Sequence, residues 1–186
     1  MNKSIFLSIA AFLLMAVAVH GQTSAKLVSS RSNIKFFSTT AAEDIEANNT
    51  ASVSTIHKET GEVVFSVPMQ GFEFEKALMQ KHFNSDKILD TKKYPKAKLK
   101  ATIININQVD FSKDGTYAAN VEGELTIKGV TRHIEEKGSV TVKGSLVEVK
   151  SIFKVTLPDY GITFLKGKPS TNVAKTVEIT VQAEYL

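Results

Sequence analysis

The chain contains no cysteine. That excludes disulfides, thiolate metal ligands and a thiol nucleophile, and with them acylation of a lipobox cysteine. No run of roughly five or six like charges occurs either. The net charge of +4 over 186 residues therefore reads as lysines scattered along solvated strand faces, not as a nucleic-acid footprint. Strand–helix alternation is missing, which argues against a parallel sheet. There is no Gly-x-Ser-x-Gly elbow and no phosphate-binding glycine loop. His57, His82 and His133 lie far apart in the sequence with no His-x-His or Glu-x-x-His spacing, so no metal site is expected. Glu135 and Glu136 are adjacent on a strand, point to opposite faces and cannot act as a pair. Acid–base chemistry would have only His82 with Asp86 or Asp90 to draw on. The reading is a protein without cofactor and without catalytic residues.

The N-terminus begins with a short positive stretch, Met1-Asn2-Lys3, followed by an apolar run over Ile5–Val19 of about 15 residues and then His20-Gly21-Gln22-Thr23-Ser24. This is the layout of a cleaved signal peptide over residues 1–21, and the apolar run is short for a membrane span, which needs about 20 residues. A periplasmic or secreted location and no stable membrane insertion follow as expectations. Without cysteine, residues 22–186 must be stabilised by their core alone.

Most of that stretch alternates with a period of two, the mark of half-buried strands. Ser32, Ile34 and Phe36 share a face within Lys26–Thr39. Ala41–Asn49 is acidic and reads as a solvated loop. Ala51–Lys58 and Glu62–Met69 form a hairpin around Glu59-Thr60-Gly61, with Val63, Phe65 and Val67 on one side. Lys96–Val109 carries Ala97, Leu99, Ala101 and Ile103. Ala119–Ile127 carries Val121, Gly123 and Leu125. Arg132–Lys143 carries Ile134, Gly138, Val140 and Val142. Leu146–Leu157 carries Val149, Ser151 and Phe153, and Val173–Tyr185 carries Val177 and Ile179. About eight long strands in simple succession predict an all-β antiparallel barrel or sandwich. A barrel of that size either fills with side chains or holds one small ligand. Small inward residues such as Ala101, Gly123, Gly138 and Ser151 either leave that room or only relieve crowding at barrel corners. The one irregular stretch is Met79–Pro95, with a helical turn or two over Lys76–Phe83 before it stops at Tyr94-Pro95.

Three segments together resemble a known family. They are His82-x-x-Ser85…Leu89-Asp90…Lys93-Tyr94-Pro95, then Gly123-Glu124-Leu125-Thr126-Ile127-Lys128-Gly129-Val130-Thr131, then Asp159-Tyr160-Gly161-Ile162. Ser32-x-Ile34-x-Phe36 agrees with it. The resemblance is to the YceI-like family of bacterial envelope proteins, and it spans nearly all of residues 22–186. It implies an extended antiparallel eight-stranded lipocalin-like barrel with a short helical segment near the mouth. It also implies a long-chain amphiphile as partner: a polyisoprenoid, an isoprenoid quinone or a fatty-acid derivative, held by a non-catalytic carrier or sequestering protein. The chain departs from the family at Met79-Gln80 and Leu157, where charged residues are common.

On this reading the ligand-binding wall comprises Phe65, Leu99, Ile103, Val121 and Leu125 from the first half of the barrel. Val140, Val149, Phe153, Val177 and Ile179 complete it from the second half. The mouth comprises Phe72, Phe74, Leu78, Phe83 and Tyr160. The alternative is a filled barrel acting as a structural, interaction or stress-related module without ligand. Ligand identity and oligomeric state stay open, a homodimer among the options.

Overall fold

Alternating apolar and polar side chains give each strand one face to bury and one to solvate, and a sheet closed into a barrel buries the first face without leaving an edge. The computed structural model describes residues 25–163 and 173–186. The signal-peptide reading of residues 1–21 lies outside the described residues. Ten strands are present: β1 (Lys26–Thr39), β2 (Asp44–Asn49), β3 (Val53–His57), β4 (Glu62–Pro68), β5 (Phe72–Phe74), β6 (Lys96–Ile103), β7 (Gly115–Ile127), β8 (Val130–Lys143), β9 (Leu146–Thr156) and β10 (Thr176–Tyr185). The helix α1 covers Ala77–Asn84.

All pairings are antiparallel, and β1 meets β10 to close the ring. The first residues of β1 pair with β3 and its later residues with β2, while β5 continues β4 and pairs with β2. Thus β2 with β3, and β4 with β5, each act as one interrupted strand, and the barrel is eight-stranded. Buried Asn49 fastens both interruptions. Its side-chain amide donates to the Pro68 carbonyl at 2.7 Å, and its Oδ1 accepts from the Ala51 N–H at 3.0 Å and the Ser52 hydroxyl at 3.1 Å.

The acidic stretch expected as a loop is in part strand β2. Ile45, Ala47 and Asn49 are buried while Asp44 and Glu46 face solvent, so the two-residue period was present beneath the acidic composition. The strand expected over Lys96–Val109 stops at Ile103. The pattern breaks at Ile103-Ile104, and a 3-10 turn follows at Ile106–Gln108. The final strand starts at Thr176, not Val173. The β7–β8 turn is two residues long, Lys128 (φ 50) and Gly129 (φ 79), the paired left-handed conformations that match strand twist in a tight hairpin.

The two ends of the barrel differ. At the Tyr185 end, Ile56, Ile103, Val140, Val142 and Tyr185 are at most 2% exposed. The connection from Ile104 to Asp114 closes over them. Asn105 stitches it to β7, donating to the Ala118 carbonyl at 2.9 Å and accepting from the Asn120 N–H at 2.8 Å. The other end carries α1, the turns up to Pro95 and the Leu157–Tyr160 3-10 turn.

Candidate functional site

The inward faces leave space in the centre. An apolar cavity of about 170 Å³ runs inside the barrel, well above the ~10–15 Å³ that one water requires. Ten predicted wall residues border it: Phe65, Leu99, Ile103, Val121, Leu125, Val140, Val149, Phe153, Val177 and Ile179. A second cavity, about 270 Å³, lies beneath α1 and is bordered by Leu78, Met79, His82, Phe74 and Ile88 among others. Phe36, Phe83, Leu89, Leu157 and Ile162 border both and form the partition between them.

Among the predicted mouth residues, Phe72 borders the inner cavity, Phe83 both, and Phe74 and Leu78 the outer one. Tyr160 is buried but borders neither of these two cavities. It sits at the end of the 3-10 turn, within electrostatic reach of Glu136. The aromatic cluster is real: Phe83 lies with its ring 5.4 Å from Phe72 and 5.0 Å from Phe74, both tilted, a geometry aromatic quadrupoles favour. Leu78 is 63% exposed, because α1 lies on the surface with no buried residue of its own.

The segment leading to Pro95 is held by short-range bonds. The Ser85 hydroxyl donates to the His82 carbonyl at 2.7 Å, and Asp90 takes a left-handed φ of 46. Its N–H donates to the Ser85 carbonyl at 2.7 Å. The buried anchor is Thr91, whose hydroxyl donates to Asn84 Oδ1 at 3.0 Å. This orders the turn so that Leu89, 6% exposed, points inward as the plug of the inner cavity. The residues that depart from the family pattern fall on the same boundary. Leu157 stands in the partition, Met79 lines the outer cavity, and Gln80 accepts from the Phe74 N–H at 3.2 Å.

The small inward residues divide between the two roles open to them. A methyl group on Gly123 would collide with the Lys100 carbonyl and Ala101 of the neighbouring strand, so Gly123 serves close strand approach. At Gly138 a Cβ would sit 2.6 Å from the Lys150 carbonyl oxygen, yet Gly138 and Ser151 also border the cavity.

One inward residue is charged. Glu136, between Ile134 and Gly138 on β8, is half-buried and borders the inner cavity. Burial raises its carboxyl above the ordinary value, as expected for an acid facing apolar surroundings. The same two-residue period that places Ile134 and Val140 inward also marks Glu136, which the search for paired carboxylates passed over. Glu135, its neighbour, faces out, 3.6 Å from His133, which lies equally far from Glu122. Burial also raises Tyr160 above its ordinary value, helped by Asp159 and opposed by Arg132. At the sealed end, burial pushes the Tyr185 hydroxyl up to about 12, partly offset by its 2.7 Å hydrogen bond with Ser54.

Among the described residues no three His, Asp or Glu side chains gather to hold a metal ion, and no helix is long and apolar enough to cross a membrane. His82 lies exposed on α1.

A profile of the YceI-like domain matches residues 20–185. The chain belongs to the YceI-like domain family. Over 108 residues it is 30% identical to a UPF0312 protein of Pseudomonas putida (strain W619), covering 55% of this chain and 51% of that protein. It thus spans about half the length of that curated relative. Two solved structures share the fold. A polyisoprenoid binding domain from Saccharophagus degradans, implicated in plant cell wall breakdown, superimposes with a TM-score of 0.72 at 15% identity, covering 87% of this chain and 97% of that one. BcnA of Burkholderia cenocepacia gives 0.66 at 16% identity, covering 82% and 95%. The closed eight-stranded barrel of this YceI-like domain is therefore a shared architecture.

Proposed function

We propose that this YceI-like domain binds a long-chain amphiphile inside its barrel and acts as a non-catalytic carrier or sequestering protein in the periplasm or outside the cell. The observation that carries the reading is the apolar inner cavity, bordered by inward residues of successive strands around the ring. The solved polyisoprenoid binding domain with the same fold supports a chain of that kind, a polyisoprenoid, an isoprenoid quinone or a fatty-acid derivative. The gain is burial of methylenes. At about 0.8 kcal/mol each, ten would contribute on the order of 8 kcal/mol before the costs of association. Secretion rests on the positive, apolar and small-residue order of residues 1–21.

The test is mass spectrometry of solvent extracts from protein purified under native conditions, followed by uptake of an added quinone or prenol. A co-purified or acquired chain at near one per protein is the expected result. Absence of both would overturn the reading in favour of a barrel acting as a ligand-free interaction module.

A further inference from the structure

Among the described residues, the strand pairing around the closed barrel is interrupted along part of one seam. Strand β8 pairs with β7 along its whole length, from Gly115↔Val142 to Ile127↔Val130. With β9 it pairs only from Lys143↔Leu146 to Gly138↔Ser151. The last link is the Ser151 hydroxyl donating to the Lys137 carbonyl at 2.8 Å. Beyond it, over 130–137, β8 has no strand neighbour on that side among the described residues, while β9 runs on alongside β10 to Thr156. Among the described residues, hydrogen bonds next tie this side together past the end of β9, where Arg132 Nε donates to the Asp159 carbonyl at 2.9 Å and Lys128 Nζ, in the β7–β8 turn, reaches the Gly161 carbonyl at 3.4 Å. The unpaired stretch is a slot with Gly138 and Ser151 at one end and Arg132 and Asp159 at the other. Ile134 and Glu136 of this stretch of β8, and Phe153 of β9, border the inner cavity.

Glu136 is the residue this slot leaves unexplained. It makes no hydrogen bond or ion pair among the described residues and stands within electrostatic reach of Tyr160; being only half-buried, its carboxyl borders both water and the apolar cavity. We propose that the β8–β9 slot is a lateral window through which the polar end of the bound chain reaches the wall, and that Glu136 accepts a hydrogen bond from it. The inference rests on the chain-binding reading and names the class of that chain: one ending in an O–H or N–H donor, a long-chain alcohol or amine. A carboxylate or phosphate end would face the Glu136 charge and be disfavoured. Arg132 is the competing group. It stands at the far end of the slot, exposed, outside the cavity lining, with its Nε engaged by Asp159.

The test uses one chain with four ends: farnesol, farnesylamine, farnesoic acid and farnesyl phosphate. Each displaces a fluorescent apolar probe from the full protein. The alcohol and amine are expected to bind on the order of tenfold more tightly than the acid and phosphate. Glu136→Gln should narrow that gap and Glu136→Leu abolish it, with all four ends still bound. The wild-type ranking tests the proposal even where a variant folds poorly, and melting curves identify such a variant. Preference for the phosphate assigns the end to Arg132 and overturns the proposal, as does a ranking unchanged in Glu136→Leu. Binding of none of the four removes the carrier reading itself.

The site of exit is tested separately. Because the chain has no cysteine, Lys137→Cys or Leu78→Cys takes a single dye, and a hexadecylamine bearing a nitroxide on its nitrogen is added. Quenching at position 137 and not at 78 is expected. Any other pattern with the chain bound overturns the window.

Discussion

The two flanks of β8 are built from the same strand and behave differently. Toward β7 the ladder is complete and ends in a two-residue turn. Toward β9 it ends at Gly138↔Ser151, halfway up the barrel. Below that point the inward residues of β8, Val140 and Val142, are almost wholly buried, as are Ile56, Ile103 and Tyr185. Above it the inward residues along the seam, Ile134, Glu136 and Phe153, are half-buried, although Val155 and Val177 nearby are not. One half is packed to stay closed, and stability there should be sensitive to every atom. The seam in the other is lined by half-buried side chains, and substitutions at those positions should change what enters more than whether the barrel folds.

The sharpest way to break this contrast is one charge at two positions of one strand face. Val140→Asp buries a carboxylate in the sealed half and should cost about 4 kcal/mol or more, leaving little folded protein. Ile134→Asp, beside the slot, can reach water and should cost about 1–2 kcal/mol. Urea unfolding of both decides it, and equal losses would mean that the two halves do not differ.

Next in size is the branch point. Gly138→Ala places a methyl 2.6 Å from the Lys150 carbonyl oxygen, so the strands must separate, at about 1–3 kcal/mol. Gly144, at φ 57 with open space around it, provides the comparison. Gly144→Ala carries only the backbone cost of roughly 1–2 kcal/mol. Hydrogen exchange of the amides over 138–143 should rise in Gly138→Ala and not in Gly144→Ala.

A smaller effect is expected from Tyr185→Phe, about 1–2 kcal/mol, because the buried Ser54 hydroxyl loses its partner. This substitution also carries a pH signature. The Tyr185 hydroxyl is raised to about 12 in the folded barrel, against an ordinary value near 10. The unfolded chain therefore releases its proton first, and wild-type stability should fall as pH rises from ~10 through about 12. Tyr185→Phe should lack that share of the alkaline loss in denaturant midpoints measured across the range.

What the sequence made legible follows from period. Each inward residue named for the wall sits on a two-residue pattern, and each borders the cavity, because alternation alone fixes which face of a closed sheet a side chain takes. Strand β2 was obscured because Asp44 and Glu46, preceded by Glu43, give the stretch an acidic composition, although Ile45 and Ala47 kept the period. Tyr160 went to the wrong surroundings because it lies in a 3-10 turn, where two-residue logic no longer applies. The slot was barely legible. Pairing on either side of β8 depends on how far two strands diverge in space, and apart from Glu136 nothing in 130–137 or 152–156 departs from ordinary strand composition. Glu136 was the one local sign, a charge at a position where the pattern calls for an apolar residue.

That charge gives the smallest and most discriminating prediction. Burial raises the Glu136 carboxyl above its ordinary value of 4.5, so the folded barrel holds this proton more tightly than the unfolded chain does. As pH rises past 4.5 the ionised form weighs against folding, and that burden is gone below it. Glu136→Leu should therefore melt slightly higher than wild type at pH 7, with the difference shrinking as pH falls toward 4. Gln at the same position should behave alike if the charge is what matters, and unlike Leu if shape is. Tyr160 stands within electrostatic reach of Glu136, so both variants belong in the same pH series. A wild type as stable as Glu136→Leu at every pH would place the carboxylate in water, on the closed side of the comparison between β8's two flanks. A stabilised variant that also loses its preference for alcohol ends would show a residue kept at a cost to stability for the sake of the ligand.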